Sequence, residues 1–185
     1  MARRKGTKGF APSLLAAVGL AVVAAIGVKV AVFLVVAGLG LYFYWSMHSA
    51  QQRREKLCGY SLDEIDQLSG LEFEEWVTTV LENAGMPSKN IRHSGDFGVD
   101  VVTTVGSTRV GIQAKRYSSS VGNSAVQEAL AGSGYHGCEL AAVVTQSRFT
   151  SAAREQASRA RVPVLLVDRE NIHDLATVVR KFAGG

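Results

Sequence analysis

Residues 10–47 carry a single charged side chain, Lys29. The stretch "FAPSLLAAVGLAVVAAIGVKVAVFLVVAGLGLYFYW" is too long and too apolar for a helix of a soluble domain. A secretory signal would have an apolar region of only about 7–15 residues, followed by a small-residue cleavage site. This run instead ends in Tyr42, Phe43, Tyr44 and Trp45, the residue types that favour a membrane–water interface. A bilayer core takes about 20 helical residues. Lys29 splits the run into two nearly equal halves, and a lysine at mid-bilayer costs about 2.5–3.5 kcal/mol on insertion scales. A transmembrane helical hairpin turning near Gly27 and Lys29 avoids that cost. The alternative is a single span over about residues 30–47. Basic clusters, "ARRKGTK" and "QQRREK", flank both ends. The positive-inside tendency therefore places both ends in the cytoplasm, which an even number of spans allows. The expectation is a multi-pass protein of the cell membrane, in contact with the lipid bilayer, with its C-terminal domain cytoplasmic.

The charge follows the same division. Residues 1–56 hold eight basic residues and one acid, or +7; the whole chain is +4, so residues 57–185 carry −3. A basic chain ordinarily points to nucleic acid. Here the excess of positive charge belongs to the membrane flanks. Cys58 and Cys138 form no disulfide framework or metal knuckle, which suits a reducing compartment. The four histidines lack metal-ligand spacing.

The organisation expected is a basic tail over 1–9, the membrane segment over 10–47, a linker over 48–61 and a globular domain over 62–185. Within the last, Leu71, Trp76, Val77, Val80 and Leu81 recur at helical spacing and predict a helix over about 69–84. Ser61 with Glu64 and Ser69 with Glu72 have the spacing of capping boxes. "NIRHSGD", "GVDVVTTV" and "TRVGIQAKRY" read as short strands separated by glycine turns. "GNSAVQEALAGSGYHG" is a small-residue helix, "ELAAVVTQS" a strand buried on both faces, and "FTSAAREQASRARV" a helix. "PVLLVD" and "RENIHDLATVVRKFA" close the chain as strand and amphipathic helix. Hairpin strands followed by crossover units imply an α/β fold with a mixed central sheet flanked by helices.

Four residues stand out chemically. Gln113 and Lys115 share one face of a strand, since side chains alternate with period two. Asp100 begins the neighbouring strand, and Glu74 lies on the first helix of the domain. Carboxylate and amide oxygens suit Mg²⁺, and a lysine beside the metal can stabilise charge on a phosphate. Taken alone, Gln113 and Lys115 read first as a solvated strand face, since two polar residues at spacing two are common.

Four motifs in order, "GLEFEEWVTTVLENAGM", "SGDFGVDVV", "GIQAKRY" and "AAVVTQSRFTSAAREQA", resemble the catalytic domain of Mrr-type restriction endonucleases, a branch of the PD-(D/E)XK nucleases. The resemblance covers most of residues 62–176. It implies a restriction-endonuclease-like fold and Mg²⁺-dependent hydrolysis of DNA phosphodiesters, with Mn²⁺ as a substitute metal, in restriction or defence against foreign DNA. By position it implies Glu74, Asp100, Gln113 and Lys115 as the catalytic set. Of these, Asp100, Gln113 and Glu74 would be the metal ligands, and Asp96 would be the non-ligating aspartate of the turn. Glu72 and Glu75 compete with Glu74 for the helix position. Gln127, Arg116 and Ser147 are candidate substrate contacts; Ser147 reads equally as part of a helix cap. His93 and His136 read as loop polar groups. The alternative function is a non-catalytic DNA-binding or membrane-anchoring module on a nuclease fold. The net −3 of the domain counts against strong non-specific DNA binding, and a homo-oligomer is compatible with all of these readings.

Overall fold

The computed structural model describes residues 12–91 and 97–184. The chain divides into two compact units, Met1–Gln51 and Gln52–Gly185.

In the first unit, the expected hairpin is replaced by one continuous helix. Helix α1 runs Pro12–Cys58, through Gly27 and Lys29, with no turn between them. The reason is local. Proline is tolerated at the first helical position, where Pro12 stands, and no other proline occurs before Pro87. A lone glycine in a helix costs about 1 kcal/mol, too little to end one. Phe33, Leu39, Tyr42 and Trp45 are all exposed along it. Among the described residues, Ile26–Cys58 is the one helical stretch long and apolar enough to cross a membrane by length and composition.

In the second unit, α1 continues through residues expected as linker. Its last turn joins the core: Leu57 is buried, and Trp76 Nε1 donates to the Leu57 carbonyl at 3.0 Å. Arg53 and Arg54 pair with Glu75 and Glu82, each at 3.1 Å. Two short capped helices follow, α2 (Leu62–Gln67) and α3 (Gly70–Asn83). Both expected capping boxes form, with Ser61 and Ser69 as N-caps and Glu64 and Glu72 reaching back to them. Those backbone and side-chain hydrogen bonds hold both glutamates below the usual carboxylate range.

Strands β1 (Ser88–Asn90), β2 (Val101–Val105), β3 (Thr108–Lys115), β4 (Leu140–Thr145) and β5 (Val164–Val167) form one sheet in chain order. The first three are antiparallel; β3, β4 and β5 are parallel. The first strand falls slightly earlier than "NIRHSGD" suggests, and Arg92, His93 and Asp96 lie outside the described residues. The remaining helices are α4 (Asn123–Tyr135), α5 (Ser151–Arg159) and α6 (Leu175–Gly184).

Alternation along β3 and β4 sorts the helices into two layers. Val110, Ile112, Ala114, Ala142 and Val144 pack with Phe73, Trp76 and Val77 of α3 and with Leu175 and Val179 of α6. Ala141 and Val143 face the other way, onto Ala125, Val126 and Ala129 of α4 and Ala153 of α5. Gln113 pairs in register with Val143, so it belongs to the α4 face.

Candidate active site

The site is built where β2 begins and β3 ends. Asp100 is 6% exposed, and its backbone N–H donates to Ile112 O at 2.9 Å. This places its side chain beside the end of β3. Its Oδ2 accepts from the Ala114 backbone N–H at 2.7 Å and from Gln113 Nε2 at 2.5 Å. Gln113 is 4% exposed, and among the described residues its Oε1 has no hydrogen-bond partner. A buried amide oxygen without a donor is costly unless something else occupies it. One carboxylate and one orphaned amide oxygen side by side make a donor set of hard oxygens.

Lys115 follows two residues on, on the same face. Its side chain is 18% exposed, and Nζ lies 2.7 Å from Glu128 Oε2 on α4. The Tyr117 ring centroid is 5.9 Å away. Burial acts most strongly on this amine and opposes its charge. The Glu128 hydrogen bond and charge, with weaker help from Tyr117 and Asp100, outweigh it, so the Lys115 pKa stands above the ordinary lysine value.

Helix α4 comes this close because two positions lack a side chain. Gly98 has φ +93°, and a Cβ there would lie 2.5 Å from the Glu128 carbonyl oxygen. A Cβ on Gly132 would lie 2.8 Å from Val99 N. The turn that delivers Asp100 therefore rests directly on the α4 backbone, which explains the small-residue composition of that helix.

Asp100, Gln113, Lys115, Gln127, Glu128, Phe97 and Gly98 line one open groove of about 490 Å³. Of the expected catalytic set, three members meet there. Glu74 is not among the described residues that line it; its carboxylate accepts from Asn90 Nδ2 at 3.5 Å, and α3 packs on the opposite face of the sheet. The expected substrate contacts divide. Gln127 lies in the groove, where its Nε2 also reaches Gln156 Oε1 at 3.4 Å. Arg116 and Ser147 line a separate cavity of about 350 Å³ with Asp66, Gln146, Arg148 and Arg169. There Arg116 donates to the Asp66 carbonyl, Arg169 donates to both Asp66 carboxylate oxygens at 2.8 Å, and Ser147 Oγ donates to Ser119 O at 2.9 Å. That second cavity sits at the C-terminal ends of β3 and β4, the usual place for ligands on a parallel sheet.

Sequence reasoning missed Glu128 and Phe97. A signal for Glu128 was present: it is the one acid between Asp100 and Glu139. Among the described residues, no group of three or more His, Cys, Asp or Glu side chains is placed to hold a metal.

A mixed five-stranded sheet between helical layers, with an acid, an amide and a lysine at one strand end, is the architecture of restriction-endonuclease-like proteins. The family model Mrr_cat, described as a restriction endonuclease, matches residues 65–176, and the chain belongs to that family. Two solved structures are similar. A protein of unknown function, AF1548, aligns with TM-score 0.43 and 19% identity over 51% of this chain and 55% of that one. The MspJI restriction endonuclease in complex with a 27-mer oligonucleotide aligns with TM-score 0.38 and 21% identity over 75% of this chain and 33% of that one. The chain thus spans about half the length of the first and a third of the second. No curated protein matches it.

Proposed function

We propose that this protein is a membrane-tethered, Mg²⁺-dependent endonuclease that hydrolyses DNA phosphodiester bonds in defence against foreign DNA. The observation that carries the reading is the convergence of Asp100, Gln113 and Lys115 on one groove, with Gln113 Oε1 buried and unpartnered among the described residues. Asp100 and that oxygen would hold the cation. Mg²⁺ binds through one or two protein oxygens and keeps several waters, so a two-residue set suffices. Bound there, a divalent cation supplies Lewis-acid polarisation of the scissile phosphate and acidifies water at neutral pH.

The chain's own residues do the rest. Lys115, held charged by Glu128, presents an ammonium to the phosphate; it stabilises developing negative charge and does not serve as a base near neutral pH. Glu128 fixes the direction of that ammonium. The Ala114 N–H and Gln113 Nε2 fix the Asp100 carboxylate, so it needs no reorganisation on binding metal. Gln127, at the same groove, is placed to touch substrate. Glu74 is given no part in this scheme.

The tether rests on α1. A helix apolar all round suits lipid or a protein interior, and its large side chains are exposed. Full-length protein should stay in the membrane pellet after alkaline carbonate washing; release into the soluble fraction would remove the tether.

The enzymatic reading is tested with the full chain in detergent on plain and methylated DNA, with Mg²⁺, Mn²⁺ or EDTA. Cleavage should need metal and fall at least a hundredfold in Asp100→Ala and in Lys115→Ala. Cleavage indifferent to both substitutions overturns the site. DNA binding without cleavage under any condition would favour a binding module on the same fold.

A further inference from the structure

Five large apolar side chains are exposed among the described residues of 52–185: Leu71, Phe97, Tyr117, Tyr135 and Val162. Two of them lie ring against ring. The rings of Phe97 and Tyr135 have centroids 4.1 Å apart at 35°, yet they remain 57% and 63% exposed. Phe97 also lines the groove that holds Asp100, Gln113 and Lys115.

Its backbone is unusual. Phe97 has φ +41°, the one non-glycine residue in the left-handed region among those described. An aromatic residue there is strained, and such strain concentrates at ligand sites where the surroundings enforce it. The enforcement is visible: the next residue, Gly98, is pressed onto the α4 backbone, so the turn cannot relax toward the helix. The result is an aromatic ring held at the mouth of a polar groove.

From this geometry we infer that Phe97 and Tyr135 form a stacking platform for an unpaired nucleobase beside the scissile phosphate. The substrate class is therefore DNA with an unpaired or extrahelical base at the cleavage point. The inference rests on the nuclease reading and names its substrate. A paired duplex keeps its base faces stacked on one another and offers the rings nothing, whereas every unpaired base presents a π-face. Charge favours the same choice. Residues 57–185 carry −3, so phosphate neutralisation alone holds DNA weakly. Stacking supplies affinity that salt does not screen.

The test uses the full chain in detergent with EDTA, so that binding is read apart from cleavage. Oligonucleotides carry 2-aminopurine in a single strand, opposite a bulge, or fully paired. Unpaired probes should bind more tightly than the paired one, with quenched fluorescence. Phe97→Ala and Tyr135→Ala should each weaken unpaired binding roughly tenfold and abolish quenching, while Phe97→Trp restores both and Phe97→Leu does not. Equal binding of paired and unpaired probes, or Phe97→Ala indistinguishable from the parent, overturns the inference. So does a change of oligomeric mass in Phe97→Ala without a change in binding, which would make the rings a contact between copies. Added Mg²⁺ separates the two readings: quenching without cleavage sinks the nuclease, and cleavage without preference for unpaired bases sinks the platform.

Discussion

Lys115 Nζ lies 2.7 Å from Glu128 Oε2, so the lysine at the end of β3 is tied to the helix that covers it. Burial alone would depress this amine's pKa, and Glu128 is the main reason that it is raised instead. In Glu128→Gln the desolvation remains and the main compensating charge is gone. The alkaline limb of kcat/KM against pH should therefore move to lower pH, with the acid limb unmoved. The stability linkage has the same sign. A raised pKa contributes fully below the unfolded lysine value and is lost only as pH rises through the folded one. Parent and variant should thus differ in melting temperature at neutral pH and converge in the alkaline range. An alkaline limb that stays in place in Glu128→Gln would mean that Lys115 does not set it.

Gln113 is neutral where a carboxylate would hold a cation more strongly. In Gln113→Glu a second buried carboxylate would stand against Asp100 Oδ2, which now receives Gln113 Nε2 at 2.5 Å. Like charges at that distance in a dry site repel strongly. The variant should melt lower than the parent in EDTA. Saturating Mg²⁺ should raise its melting temperature by more than it raises the parent's, because binding to the native state stabilises by RT ln(1 + [L]/Kd). Equal Mg²⁺-induced shifts in the two proteins would remove Gln113 from the metal site.

Gly132 tests the packing that sets the site. A Cβ there meets Val99 N at 2.8 Å and Gly98 C at 2.9 Å, and backbone atoms cannot swing aside. Gly132→Ala should cost about 1–3 kcal/mol, as overpacking does, read as a lower denaturant midpoint. Because the displaced turn carries Asp100, Mn²⁺ affinity should fall as well. Gly134→Ala, where an added Cβ meets nothing within 4 Å, is the control and should be near neutral or stabilising. A Gly132→Ala variant as stable as this control would refute the close approach.

From α3 onward the elements and their order were legible in the sequence because the second unit is locally consistent. Capping boxes mark α2 and α3, alternation marks β3, and the apolar run of β4 marks a central parallel strand. The pairing of Asp100 with Gln113 was also legible, since the two-residue turn at Gly106 and Ser107 brings their strands into register. The partner of Lys115 was not. Glu128 reaches it across a sheet–helix contact that depends on two glycines, and no spacing rule encodes that. Nor was the course of residues 12–58. Lys29 argued for a turn on the cost of burying its charge, but a chain with no helix breaker there stays helical. The basic cluster at 53–56 has a further partner: Arg53 and Arg54 meet Glu75 and Glu82, so their positions answer to the folded domain as well as to any membrane surface.

That pairing leads to a prediction about where the folded domain begins. Leu57 is 7% exposed in the core around Phe73 and Trp76, and its carbonyl accepts from Trp76 Nε1 at 3.0 Å. Leu57→Ala should cost about 2–4 kcal/mol, the range for truncating a buried leucine. A chain starting at Cys58 loses that burial, leaves the buried indole N–H without its acceptor at a further cost of about 1–3 kcal/mol, and forfeits both arginine pairs. The pairs are exposed and contribute at most about 1 kcal/mol each. A chain starting at Gln52 keeps all four contacts. Its denaturant midpoint should therefore lie well above that of the Cys58 chain, and the difference should shrink to the value of the Leu57 contacts when Arg53 and Arg54 are both replaced by Ala. Equal midpoints for the two starting points would show that the last turn of α1 is an appendage and that the basic residues are free to face lipid.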